Sequence, residues 1–317
     1  MNYESKIYVS GHSGMVGSAL ITALRRAGFS NIVTRIHAEL DLLDQHAVAQ
    51  FFALERPEYV FLFAGKVGGL PPISEYPGAF LYENLQIQNN VMHQAYLHGV
   101  RKLLFVSSSC VYPEHCPQPM RPEYILTGSL EKGSEPYGVA KLAGIELCHN
   151  YNRQYGTNYI AAVPATLYGP TPHFDLKYAH VLDALLRKFH EAKLVNHSEV
   201  ILWGTGTPER EFLYVEDFAE ACLFLMKNYN AKPEHYVKRQ LCVNVGTGES
   251  LTISALASAV QSIVGFKGNI LWDTTRSDGA KRKLLDSSII HGLGWRHTTA
   301  LKNGIDKTYT WLQTQKI

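Results

Sequence analysis

The chain has 317 residues, of which 46% are hydrophobic and 18% charged, with a formal net charge of +2 at pH 7. That length accommodates one large or two modest domains with a sizeable core, and the composition is that of an ordinary soluble globular protein. The near-neutral balance gives no electrostatic reason to expect nucleic acid or an acidic membrane as partner. No apolar run approaches a membrane span, and the first six residues lack the apolar stretch of a signal peptide. The cysteines, Cys110, Cys116, Cys148, Cys222 and Cys242, are odd in number and scattered, with no Cys-x-x-Cys pair. They read as reduced cytoplasmic thiols rather than a disulfide set or a zinc site, and no metal is expected.

Residues 6–10 are a short apolar run that predicts a strand, and 15–27 have helical periodicity that stops at Gly28. A second strand is expected over 31–35 and a second helix over 44–54, with Pro57 just beyond. The continuous apolar run 59–64 fits a strand buried on both faces of a parallel sheet. A long helix over 79–98, a strand over 102–106, a helix over 137–155 and a strand over 159–163 continue the alternation. Such alternation predicts an α/β fold built on a doubly wound parallel sheet of the Rossmann type.

After Gly169-Pro170 the rhythm changes. A helix over 179–192, short strands over 199–203 and 212–215, and helices over 218–227 and 253–264 suggest a smaller α/β substrate domain. The apolar strand 241–245 is expected to rejoin the large sheet, so the second domain is discontinuous. The division expected is 1–168 for the cofactor domain, with 212–248 partly returning to it, and 169–317 for the substrate domain.

Gly11, Gly14 and Gly17 follow the first predicted strand and open the first predicted helix. Such a turn, here with Ser13, Met15 and Val16 inside it, lets backbone N–H groups approach a dinucleotide pyrophosphate at the positive end of the helix. NAD recognition calls for an acidic residue at the end of the second strand, whereas Thr34-Arg35-Ile36-His37 offers a cation, which favours the 2′-phosphate of NADP. A plain solvated arginine is the competing reading of Arg35. Asp41 and Leu42 are placed to meet the adenine, and Ala64, Gly65 and Lys66 to run beneath the ribose and pyrophosphate. NADPH is the expected cofactor, with NADH as alternative.

Tyr137 and Lys141 are four residues apart on a predicted helix and share a face. An unperturbed tyrosine, with a pKa of about 10, is a poor acid–base group near neutrality. A neighbouring lysine ammonium is expected to lower that pKa and to hold the nicotinamide ribose. Ser108, at the end of the fourth predicted strand, supplies a hydroxyl to share the hydrogen bond to a carbonyl. Tyr-x-x-x-Lys alone reads equally as an amphipathic helix face. In order behind a glycine turn and a serine, it points to hydride transfer at a carbonyl.

On these residues the chain resembles the extended short-chain dehydrogenase/reductase superfamily, and within it the GDP-4-keto-6-deoxy-mannose epimerase/reductases of the GDP-L-fucose synthase type. The matching stretches are 11–19, Lys66-Val67-Gly68-Gly69, Ser108-Ser109-Cys110-Val111-Tyr112-Pro113, 136–144, Leu167-Tyr168-Gly169-Pro170, 180–192, 203–208, 210–213 and 282–286. The resemblance implies that Ser108, Tyr137 and Lys141 form the reductase triad. It also implies that Cys110 and His180 exchange protons at C3 and C5 of a GDP-linked 4-keto sugar. A 4-keto group acidifies both neighbouring C–H bonds, so a thiolate and an imidazole suit that task. Ser109, Arg187, Trp203, Arg210, Asp278 and Lys283 match positions that hold the sugar nucleotide, while Pro164, Leu167 and His180 match positions beside the cofactor. A homodimer through the helices 79–98 and 137–155 is implied as well.

The chain departs from that pattern at several places. Ser13 and His37 stand where relatives typically carry arginines aimed at the 2′-phosphate. Leu70-Pro71-Pro72-Ile73-Ser74-Glu75 replaces a usual Ile-Val-Ala-Asn-Asn-Thr and reads as a stiffened loop facing the sugar; residues 173–179 and Ala165-Thr166 also differ. A C4 reductase without epimerisation, acting on an altered GDP-4-keto sugar such as a heptose, is therefore the main alternative. A non-catalytic nucleotide sensor is a weaker one, since both Tyr137 and Lys141 are present. A 4-epimerase or 4,6-dehydratase recycling tightly held NAD is a third, and the Ser-Ser-Cys stretch does not match the Thr-Asp-Glu common in the dehydratases.

Overall fold

The computed structural model describes residues 1–171, 180–276 and 278–315. β1 (Ile7–Ser10) runs through the glycine turn into α1 (Met15–Arg26), followed by β2 (Ile32–Val33), α2 (Gln45–Glu55) and β3 (Tyr59–Leu62). Two helices, α3 (Leu70–Glu75) and α4 (Pro77–Leu97), lead to β4 (Lys102–Val106); short 3-10 turns then precede α5 (Glu135–Tyr155) and β5 (Tyr159–Pro164). Next come β6 (Thr166–Tyr168), α6 (Val181–Leu194), β7 (Glu199–Trp203), β8 (Glu209–Arg210), β9 (Phe212–Tyr214), α7 (Val215–Asn228), α8 (Pro233–Val237) and β10 (Val243–Val245). Last are β11 (Leu251–Thr252), α9 (Ile253–Val264), β12 (Asn269–Asp273), β13 (Arg282–Lys283), α10 (Ser288–Gly292) and α11 (Leu301–Gln313).

Six strands form a parallel sheet in the order β10-β5-β4-β3-β1-β2. The apolar runs of β1, β3 and β5 are buried along their whole length, as sandwiching between helices requires. α2, α4 and α5 pack together, as do α1 and α7, so the sheet is doubly wound, as expected. From β1 the chain moves outward to β2 and returns to β3 on the other side. That reversal leaves a crevice beyond the carboxyl ends of β1 and β3, where ligands of such sheets bind. The strand expected to rejoin the sheet does so: Val243 pairs with Ala162 in β5.

A second apolar cluster lies among α6, α9 and α11, built from residues such as Leu186, Phe189, Val260 and Leu312. Around it run the parallel pairs β7–β12 and β6–β9 and the small sheet β11-β8-β13. Two expectations change. The stretch 70–75, read as a stiff loop, is the helix α3, because Pro71 and Pro72 fall in its first turn, where a missing N–H removes no helical hydrogen bond. The helix expected from 179 begins at Val181, with His180 as its N-cap; the departures at 173–179 lie outside the described residues.

Candidate active site

The glycine turn is shaped for an anion. Gly11 adopts φ +72°, and a Cβ there would stand 2.7 Å from the Ala64 nitrogen; a Cβ at Gly17 would stand 2.1 Å from the Gly11 carbonyl oxygen. The turn therefore lies against the end of β3, and α1 against the turn, at a distance that only glycine permits. Gly14 is the N-cap of α1, with no side-chain cap and no acidic residue in the first turn, so the N–H groups of Met15, Val16 and Gly17 face outward for a pyrophosphate. Ser13 is exposed beside them.

Across the crevice, Asn84 of α4 is almost fully buried and clamps the Gly65–Lys66 segment. Its Oδ1 accepts from Lys66 N at 3.1 Å, and its Nδ2 donates to the Lys66 carbonyl at 3.0 Å. Asn90 does the same for the next loop, donating to the Leu42 carbonyl at 2.8 Å. Sequence reading passed over both, because a lone asparagine on a helix carries no signal until its long-range partner is known. Asp41 accepts from Leu43 N at 2.9 Å and lies 3.7 Å from His37.

At the carboxyl end of β4, Ser108 caps a 3-10 turn over Ser109–Val111, its Oγ accepting from Cys110 N at 3.2 Å. The first turn of α5 presses on this turn: a Cβ at Gly138 would stand 2.6 Å from the Cys110 carbonyl oxygen. Tyr137 is thereby brought beside Cys110 and within hydrogen-bonding reach of Ser108. One helical turn on, the Lys141 ammonium donates to the Val106 carbonyl at 3.1 Å, 5.8 Å from the Tyr137 ring centroid.

Burial, with the Cys110 thiol beside it, pushes the Tyr137 phenol up, while the Ser108 hydrogen bond tempers the rise. Burial pushes Lys141 down to about 8. The expected lowering of the tyrosine by lysine does not occur: desolvation dominates, only Ser108 opposes it, and Tyr137 rests as a neutral phenol, the state a proton donor needs. His180 is exposed to solvent at the head of α6 but walled by protein, which holds its pKa below the ordinary value. Among the described residues it makes no hydrogen bond with the other four.

Arg210 and Lys283 face each other across β8 and β13. Lys283 pairs with Glu131 at 2.7 Å, and Arg210 donates to the Ala280 carbonyl at 2.7 Å. Asp278 accepts from Thr205 N at 2.7 Å and closes the turn that follows Trp203. The Trp203 ring is exposed and lies under Lys188 and Arg276, 5.5 and 5.2 Å from its centroid; Arg187 pairs with Glu191 at 2.7 Å. A depression lined by Ser109, Cys110, Tyr112, Glu131 and Lys283 joins this cationic ground to the relay. Pro164 and Leu167 stand at the end of β5 and in β6. Glu131, and the buried Glu211 that accepts from Gly248 N at 2.7 Å and Leu285 N at 2.9 Å, were not singled out by sequence, since their partners are far along the chain.

The model of the NAD dependent epimerase/dehydratase family matches residues 7–238. The chain belongs to this family. As an epimerase/dehydratase family member it is 49% identical to GDP-L-fucose synthase 1 of Arabidopsis thaliana over 308 residues, 97% of this chain and 93% of that one. Its fold is similar to that of a GDP-6-OMe-4-keto-L-xylo-heptose reductase from C. jejuni, with TM-score 0.94 and 40% identity, covering 100% of this chain and 99% of that one. It is likewise similar to MlghC, a GDP-mannoheptose C4 reductase from Campylobacter jejuni with NADP bound, with TM-score 0.90 and 40% identity over 99% and 100% of the two chains. As in other members of the family, a nicotinamide dinucleotide is the cofactor, and the glycine cradle fits it.

Proposed function

We propose that this chain is a GDP-4-keto-6-deoxy-sugar epimerase/reductase of the GDP-L-fucose synthase type, with NADPH as hydride donor. The observation that carries the reading is the gathering of Ser108, Cys110, Tyr137 and Lys141 at one sheet end, in a chain 49% identical to a GDP-L-fucose synthase. When bound, the cofactor supplies the hydride that adds to C4. Tyr137 gives its phenolic proton to the C4 oxygen, and the Ser108 hydroxyl shares that hydrogen bond. The Lys141 ammonium steadies the phenolate left behind. Before reduction, Cys110 and His180 remove and return protons at C3 and C5, which the 4-keto group acidifies. Arg187, Trp203, Arg210, Asp278 and Lys283, carried by residues 169–317, hold the GDP portion; Trp203 offers an exposed flat ring, and Arg210 and Lys283 a paired cationic ground for the diphosphate.

A second reading has support of its own: reduction at C4 alone, on a GDP-linked heptose. The two solved relatives named above are GDP-heptose reductases, and the sequence of residues 70–75, here the helix α3, departs from the stretch usual in the GDP-L-fucose synthase type. The exposed Tyr82, Leu97, Val139 and Tyr155 on α4 and α5 support pairing of two copies through these helices. Five free thiols support a reducing, cytoplasmic setting, and no described helix is long and apolar enough to cross a membrane.

Incubation with GDP-4-keto-6-deoxy-mannose in deuterated water without cofactor separates the readings. Deuterium at C3 and C5 is expected. Its absence, with C4 reduction of a GDP-4-keto heptose intact, removes the epimerase half and leaves the second reading.

A further inference from the structure

Glu131 stands outside the proton relay, yet it is bonded to both sides of the site. It is the N-cap of the 3-10 turn over Lys132–Ser134, which runs straight into α5. Its carbonyl accepts from the N–H of Ser134 at 3.0 Å, and Ser134 is the buried N-cap of the helix that carries Tyr137 in its first turn. In the other direction its carboxylate reaches β13 and holds the Lys283 ammonium at 2.7 Å. Lys283 lies beside Arg210 of β8, which donates to the Ala280 carbonyl at 2.7 Å. The Glu131 carboxylate and the Arg210 guanidinium converge on the bend at Gly279. A Cβ there would stand 3.6 Å from Glu131 Oε1 and 3.7 Å from Arg210 Nη2. One side chain thus spans from the root of the catalytic helix to a cation 152 residues away.

Burial works to raise the Glu131 carboxyl, but the charges of Lys283 and Arg210, with hydrogen bonds from Lys283 and the Ala280 N–H, hold it below the usual carboxylate range. An ionised acid therefore touches one cation and lies close to the other, where it opposes an incoming diphosphate. A site built for affinity alone would bind more tightly without it. What the carboxylate contributes is place. A lysine ammonium rides on a flexible four-carbon stem, and pinning it makes its remaining N–H groups point from one position. Ser109, Cys110, Glu131 and Lys283 line the same depression, so that position fixes how far a diphosphate sits from the relay. We propose that Glu131 is a positioning residue: with Arg210 and Lys283 read as the ground for the diphosphate, as above, it sets the distance from that ground to Tyr137 at some loss of nucleotide affinity.

The test is calorimetric binding of GDP to the wild-type chain, Glu131→Gln and Glu131→Asp. Steady-state kinetics with NADPH and the GDP-4-keto sugar that the wild type reduces, and thermal melts, run beside it. Glu131→Gln keeps the size and removes the charge. GDP is expected to bind about three- to tenfold tighter while kcat falls about tenfold or more. Glu131→Asp keeps the charge on a stem one methylene shorter, so GDP affinity stays within about twofold of wild type and kcat again falls about tenfold. A glutamate that merely supports the fold would give weaker GDP binding, a lower melting temperature and an unchanged kcat for the folded fraction. That pattern, GDP binding no tighter in folded Glu131→Gln, or wild-type kcat in Glu131→Asp overturns the proposal and leaves the reductase reading standing. Failure of the wild-type chain to bind GDP overturns both. Should Glu131→Gln fail to fold, Glu131→Asp carries the test by its kcat at unchanged GDP affinity.

Discussion

The ammonium of Lys141 lies 5.8 Å from the centroid of the Tyr137 ring and 4.9 Å from that of Phe105, and donates to the Val106 carbonyl at 3.1 Å. It is buried against the side of β4, so its charge is set by that environment.

From this follows a pH dependence with a definite sign. Burial pushes Lys141 down to about 8, so the ammonium is present below that pH and lost above it. Reduction needs the charge to steady the Tyr137 phenolate as the proton leaves. We expect kcat to be flat below about pH 7 and to fall as pH rises through about 8. Lys141→Arg, which keeps its charge throughout, should flatten the alkaline limb at a lower plateau. A rate profile between about pH 6 and 10 reads both.

Lys283 faces Arg210 across β8 and β13 and is held by Glu131 at 2.7 Å. Removing it takes one of two cations from the ground proposed for the diphosphate. Lys283→Met should raise KM for the sugar nucleotide by about ten- to a hundredfold, with kcat within about twofold, in steady-state kinetics.

Lys102 concerns stability alone. Its buried ammonium closes the carboxyl end of α7, donating to the carbonyls of Leu225 at 3.1 Å, Met226 at 2.8 Å and Tyr229. Lys102→Met leaves those carbonyls dry, and a loss of about 2–4 kcal/mol is expected in denaturant unfolding. Turnover of the folded fraction should be unchanged.

Much of the large sheet was legible because its signals are local. The apolar run at 59–64, the glycines after β1 and the four-residue spacing of Tyr137 and Lys141 each report on a neighbourhood of a few residues. The two-residue strands β8, β11 and β13 were not, since they exist only through pairing with distant partners. Proline misled at 71–72, where its place in a first helical turn depends on where the helix begins. The ion pair of Arg35 with Glu55 was not legible because the two lie 20 residues apart, and Glu131 went unnoticed because Lys283 lies 152 residues away.

The most direct measurement is turnover of GDP-4-keto-6-deoxy-mannose by Tyr137→Phe, with cofactor binding measured alongside. Loss of the one hydroxyl should lower kcat by about a hundred- to ten-thousandfold while the dinucleotide still binds, since the ring and its packing on Phe80 remain. A variant that binds cofactor and turns over at nearly the wild-type rate would contradict the assignment of Tyr137 as the proton donor.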